Sequence, residues 1–392
     1  MPPTADIGSI AAFIISVFTD PFLKQIARNP ILQFGTETQP FILAQYLPVV
    51  QRDTNEIYEE ITKIGTFIAD DGAPLSPPQM KQTGQGMAFR GRLGHIDISA
   101  QMDAQDLRTL GRLLNQGRER SLAIEFVTQW LIRTIRLAIE LKAEKQRAEA
   151  LCNAIVTVTP MDAPSYTITF PNPAGHRITV PSGTTAAPTG FYSLTFDPIQ
   201  NTLVPLRILL QNKGYEPIAI ITSSRIAGAL QVNPNVARYG AGLIALPTAT
   251  GDLTFENRPL SANDAVLNGI LQANGLPPII RYDRFYPLQG GGQARLFPDD
   301  KLLIIGASGR AQPLEIPDDQ GRIVRRELIN NTLGYYGEGI SLGEVEPGLV
   351  ITVKASDLKP RSVYAEGYRE GFPVFLDHEA VAVVTVPELV AA

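Results

Sequence analysis

RERSLAIEFVTQWLIRTIRLAIELKAEKQRAEALC, Arg118 to Cys152, runs its whole length without proline or glycine. Apolar residues recur in it at helical spacing: Leu122, Phe126, Trp130, Leu137 and Leu141, with Val127, Leu131, Ile135 and Ala138 widening the stripe. The spacing predicts one helix on the order of 50 Å long, longer than a compact domain needs. The stripe should pack on a sheet, with Trp130 in the core. The second half, Glu140 to Glu149, alternates charge sign, which predicts a wet face laced by pairs such as Glu144 with Arg147 and Lys145 with Glu149.

Upstream of the helix the sequence has no core of its own. Prolines 2, 3, 21, 30, 40 and 48 cut up the first 50 residues, yet that segment is rich in Phe, Ile and Leu, so it is expected to lie against another surface, on this subunit or a neighbour. Glu60 to Ala69 and Met87 to Ser99 read as two strands around a turn-rich stretch from Asp70 to Gly86. A lone two-stranded ribbon is marginal in water, so one this long should lean on a partner. Arg90 and Arg92 flank Gly91 on one face of its second strand. A solvated face is the plain reading of two such arginines; on an exposed ribbon they are also the candidates for contact with a neighbouring subunit.

Downstream, Ile155 to Thr159 and Tyr166 to Phe170 alternate as strands, and Arg177 to Val180 is expected to continue that ladder. After a Ser/Thr/Ala/Pro-rich boundary at Gly183 to Gly190 the character changes. Asp197-Pro198 starts a helix that Gly214 stops, with a kink at Pro205; Ile218 to Thr222 is a buried strand, and Ser223 caps a helix to Val232. Ser261 with Asp264 makes a capping box for a helix ending at Gly275, and Ile279 to Phe285 and Lys301 to Ile305 read as strands. Short helices alternating with strands imply a compact α/β layer. From Gly348 onward the sequence is nearly all strand.

Composition excludes several functions. The chain has 392 residues, 44% of them hydrophobic, and carries 34 basic against 39 acidic side chains, so it is no disordered tail and no basic nucleic-acid binder. One cysteine, Cys152, allows no internal disulfide, which fits a reducing compartment, and His95, His176 and His378 are too scattered for a metal set. Ile7 to Phe18 is too short to span a bilayer and no cation precedes it, so a soluble chain is expected. GASG around Ser308 lacks the nucleophile elbow, no phosphate loop occurs, and Gly290 to Gly292 is read as a turn. Asp70-Asp71, Asp299-Asp300 and Asp318-Asp319 sit beside glycine or proline and are read as turn punctuation before cation sites. No catalytic residue, cofactor or metal is expected.

The order of these parts resembles the tailed-phage major capsid fold of the Hong Kong 97 type, and within it the lambda-type major capsid protein E group. DPIQNTLVPLRILLQNKGYEPIAIITSSRIAGALQVNPNV (Asp197 to Val236), IIRYDRFY before FPDDKLLIIG (Ile279 to Gly306) and YREGFPVFLDHEAVAVVTV (Tyr368 to Val386) carry the resemblance. It implies an α+β fold: an N-terminal arm over 1–55, an E-loop over 56–101, a P-domain with a spine helix over 102–195, a compact α/β A-domain over 196–345, and strands over 346–392 that return to the P-domain or finish the A-domain. It implies hexamers and pentamers of the chain in an icosahedral shell, with scaffold, portal and decoration proteins as further partners. Double-stranded DNA would be held only loosely, the particle assembled in a bacterial cytoplasm, and no membrane involved. An encapsulin-like compartment shell shares the fold and is the alternative. A cytoplasmic enzyme is a third reading, opposed by the scarcity of His and Cys.

Overall fold

The computed structural model describes residues 7–28, 34–36, 39–64, 84–115, 120–159, 164–241, 263–288, 290–317, 323–341, 344–356 and 362–390. Two five-stranded sheets organise it. The axis of the first is the 14-residue strand Ser362–Phe375. Gly94–Gln101 pairs antiparallel along one of its edges; Val350–Ser356 and then Gly334–Glu338 share the other, and Val49–Gln51 adds a parallel strand beyond Gly334–Glu338. The second sheet runs in the order Ile279–Arg281, Pro217–Thr222, Lys301–Gly306, Val381–Thr385, Arg177–Thr179. The C-terminal strands thus serve both sheets. Arg177–Thr179, expected beside the 155–170 ladder, instead pairs parallel with Val381–Thr385, because the apolar run 381–384 needs a neighbour on each edge to be buried.

Five helices lie on or beside the first sheet: α1 (Ile7–Val17), α2 (Asp20–Arg28), α3 (Ala104–Asn115), α4 (Arg120–Leu131) and α5 (Leu137–Asn153). α4 and α5 form one continuous rod joined by a π turn, Ile132–Arg136, and Ala154 ends it in the left-handed conformation with its N–H on the Ala150 carbonyl. The buried side of the rod is Ala123, Val127, Leu131, Ile135 and Ile139. It rests so closely on the long strand that a Cβ at Gly367 would lie 2.2 Å from Ile135 Cγ2 and 3.2 Å from Ile139 Cδ1. Gly367→Val should therefore cost at least the ~1–3 kcal/mol typical of overpacking, read by urea unfolding, and an unchanged midpoint would contradict this contact.

Of the stripe expected to face the core, the widening residues Val127, Leu131 and Ile135 do so, while its central residues on α4 are turned outward. Leu122 is 45% exposed, and Phe126 and Trp130 are only half-buried. Both sides of α4 are apolar, so period alone could not choose between them; the smaller Ala123 and Val127 permit the closer approach to the sheet and take it. The expected wet face of α5 is a second reversal: Glu140, Glu144, Gln146 and Arg147 are fully buried.

Of the two surfaces expected for the N-terminal segment, its own subunit or a neighbour, the described residues take the first. Its prolines confine it to short pieces, but α1 and α2 place Ile10, Ile14, Phe18, Leu23 and Ile26 in a core shared with α3, α4 and the long strand. Further on, Phe41, Leu43, Ala44 and Leu47 have no exposed surface at all. The segment belongs to the core of its own subunit.

In the α/β layer, Asp197 accepts from the N–H groups of Ile199 and Gln200, and a π turn, Ile199–Leu203, leads into the helix Val204–Asn212. Pro205, where a kink is expected, closely follows that π turn, so the irregular turn stands where the proline withholds its N–H. Ser223 caps Ser224–Val232 as expected. The cap of Asp264–Ala273 is Asn263, whose side chain accepts from Val266 N, and Ser261 lies outside the described residues.

Candidate assembly interface

The buried charges of α5 meet partners from the rest of the chain. Arg136, Glu140, Glu144 and Arg147 fall at spacings of four, four and three, which is one helix face. Arg136 reaches Glu140 at 2.9 Å and donates to the Ala27 carbonyl of α2. Arg369 of the long strand lies 3.3 Å from Glu140 and 2.5 Å from Glu338. Glu144 accepts from the backbone N–H of Leu43 at 2.9 Å and from the Tyr282 hydroxyl at 2.7 Å, and pairs with Arg147 at 3.3 Å. Arg147 and Arg369 flank the Tyr336 ring, 4.9 Å and 5.3 Å from its centroid. Burial pushes Glu140 upward, but Arg369, Arg136 and Arg147 outweigh it and hold its carboxyl below the usual range. At Glu144 burial wins over Arg147 and its hydrogen bonds, and the carboxyl is raised. Three arginines and three glutamates lie together in the interior, tying helix, sheet, N-terminal segment and α/β layer to one another. The four-four-three spacing was the signal for the helix half of this cluster; Glu338, Tyr336 and Arg369 had none, being supplied by pairing of distant strands.

Nothing in this cluster is open to solvent or to a substrate, and among the described residues no group of His, Cys, Asp and Glu could hold a metal. His95 pairs with Glu370 at 2.7 Å, His176 Nδ1 bonds the Val381 carbonyl at 2.8 Å, and His378 packs on Phe375. Asp299 is held by Arg225 at 2.9 Å and Arg295 at 3.2 Å. Asp70-Asp71 and Asp318-Asp319 lie outside the described residues. Gly290 to Gly292 take φ of 98°, 93° and 90°, a turn that only glycine makes without strain, in the hairpin Phe285–Pro287 to Gln293–Arg295.

Among the described residues two kinds of surface could receive a partner. The first is ribbons. Among the described residues Glu56–Ile64 and Gly84–Arg92 pair only with each other, in a register that sets position 90 opposite Tyr58 and position 92 opposite Glu56. Tyr58, in register with Arg90, is 65% exposed, and Arg92 is exposed. The expected second strand is in fact two: after Leu93 the chain enters the first sheet as Gly94–Gln101. A second ribbon, Ala311–Pro317 with Ile323–Asn330, went unread in the sequence because Pro313 and Pro317 mask its strand pattern.

The second kind is the outer side of α4. Leu122, Phe126 and Trp130 with Leu113 of α3 floor an open groove of about 560 Å³, rimmed by Glu125, Gln129 and Arg133. Because its ring is only half-buried there, Trp130→Ala should lower subunit stability by less than the ~3–5 kcal/mol of a fully buried aromatic. Urea unfolding checks this, and a loss inside that range would place the ring in the core after all.

No family model matches the sequence, and no curated protein does. Solved structures do. A protein assigned as a prophage capsid protein of E. coli CFT073 superposes with a TM-score of 0.52 at 11% identity, over 98% of this chain and 99% of that one. The chain has the tailed-phage capsid fold. A phage-related protein of Bordetella bronchiseptica RB50 gives 0.49 at 12% identity over 93% and 96% of the two chains, and the mature capsid of bacteriophage PhiM1 gives 0.42 at 10% over 89% and 87%. Among the described residues the two ribbons are the longest of five two-stranded sheets, and the α4 groove lies apart from both.

Proposed function

We propose that the chain is the major capsid protein of a tailed phage, assembling as hexamers and pentamers into the icosahedral head around double-stranded DNA. The observation that carries this is a capsid fold with two long ribbons that, among the described residues, pair only within themselves: a two-stranded ribbon is marginally stable alone, and repeated subunits let each copy cover its neighbour's. In this reading residues 1–55 are the arm, 56–101 the E-loop, 102–195 the P-domain, 196–345 the A-domain and 346–392 the closing strands. Arg90 and Arg92 reach carbonyl or acidic groups of the adjacent subunit. The formal charge of −5 keeps the inner wall from gripping DNA firmly, and scaffold, portal and decoration proteins act on the shell from outside the chain. The chain turns over no substrate.

Electron microscopy and sedimentation of the purified protein test the proposal. Closed particles are expected, and in an infected or induced host they should contain nuclease-protected DNA. Particles filled with a protein cargo would identify a compartment shell instead, and a protein that stays monomeric at every concentration would overturn self-assembly.

A further inference from the structure

We infer that the outer face of α4 pairs with the same face of a second copy, antiparallel, about a two-fold axis at Gln129. The inference rests on the chain being a self-assembling subunit and adds a specific contact to that reading. Glu125 and Arg133 stand on the rim of the α4 groove, one four residues before Gln129 and the other four after it. Both are exposed, and among the described residues neither makes an ion pair within the chain. Between them lie Phe126 and Trp130, both half-buried, one turn on from Leu122 at 45% exposed.

A rotation about Gln129 exchanges position 125 with position 133. Each Glu125 then meets the Arg133 of the other copy, twice per pair, and the same operation covers both sets of aromatic rings at once. The face is therefore self-complementary, as an isologous contact requires. A parallel pairing would set Glu125 against Glu125 and Arg133 against Arg133, so charge also selects the orientation. Asp106 of α3 is the remaining charge on the rim. Exposed ion pairs add little by themselves, and the drive comes from covering Leu122, Phe126 and Trp130. One helix face per copy is small beside the roughly 1,200–2,000 Å² buried by stable complexes, so the contact forms where copies are already crowded.

The test is a cysteine on the axis. Gln129→Cys should form a disulfide with itself across the two-fold, giving a dimer on non-reducing gels of concentrated protein and of assembled particles. Cys152 is silent in this experiment, since it is buried and its thiol is pushed up to about 12. Val232→Cys, at a position 71% exposed and far along the chain, sets the background rate. Adding Glu125→Arg should slow the Gln129→Cys cross-link several-fold, and adding Arg133→Glu as well should restore it. Circular dichroism confirms that each variant is folded. Cross-linking no faster than at Val232→Cys, or a Glu125→Arg effect that Arg133→Glu does not reverse, would overturn the inference. Particles that assemble without the Gln129→Cys cross-link leave the shell reading standing and remove this contact; a cross-linked dimer that never forms particles does the opposite.

Discussion

Arg369→Met should lower the stability of the subunit by about 3–5 kcal/mol, the loss expected when one member of a buried charge network is removed and the others keep their charges. Arg369 is 1% exposed and lies between Glu140 and Glu338, both themselves buried. Burial alone works against its charge, yet the two carboxylates outweigh it and raise the guanidinium above its already high ordinary value. The methionine fills most of the space and stacks on the Tyr336 ring nearly as well, so volume is roughly kept while the cation is lost. What remains is Glu338 without its ion pair and Glu140 with Arg136 at 2.9 Å and the more distant charge of Arg147. Chemical denaturation of the isolated subunit measures the loss. A change below about 1 kcal/mol would mean that one carboxylate simply takes up a proton, and that the cluster does not hold the helix to the sheet. A triple variant that also replaces Glu140 and Glu338 with apolar residues is expected to recover much of the stability, as buried charge clusters elsewhere do.

The long helix was legible because absence of proline and glycine over 35 residues constrains the backbone whatever the surroundings. Its orientation was not. With Leu122, Phe126 and Trp130 on one side and Ala123, Val127 and Leu131 on the other, hydrophobicity points both ways, and only the close approach at Gly367 shows which side meets the sheet. The charged half misled for a related reason. Glu140, Glu144 and Arg147 carry the residue types of a solvated face, and what buries them is Arg369, Glu338 and Tyr282, delivered from more than 130 residues away by strand pairing. Caps at Asp197 and Ser223 were readable because their chemistry is local. The bond from Arg177 to the second sheet was not, since a three-residue strand carries no signal of which edge it will join. The candidate interface divides the same way: the first ribbon could be read from alternation and turn residues, whereas the α4 groove is visible only once the helix has chosen its buried side.

Deleting residues 1–28 should unfold the subunit or leave it molten. The sequence leaves open whether this segment lies on its own subunit or on a neighbour, and the two cases predict opposite outcomes in the isolated protein. α1 and α2 contribute Ile10, Ile14, Phe18, Leu23 and Ile26 to the core shared with α3, α4 and the long strand, each at most 6% exposed. Full burial of such a side chain is worth about 1.5–3 kcal/mol, so five of them approach the whole margin of about 5–15 kcal/mol by which a domain is stable. The deletion would also uncover Leu107, Leu110, Ile351 and Val363, which the two helices now cover, and would take from Arg136 the Ala27 carbonyl that it holds. Polar tethers add less: Lys24 to Glu344 at 3.7 Å and Arg28 to Glu346 lie at the surface, where ion pairs contribute little. Loss of the cooperative thermal transition, with dye binding to the newly exposed apolar surface, is the expected result. If the shortened chain melts at the parent's temperature but forms no particles, the segment serves a neighbour instead, and the core that it shares with α3 and α4 contributes little to the fold.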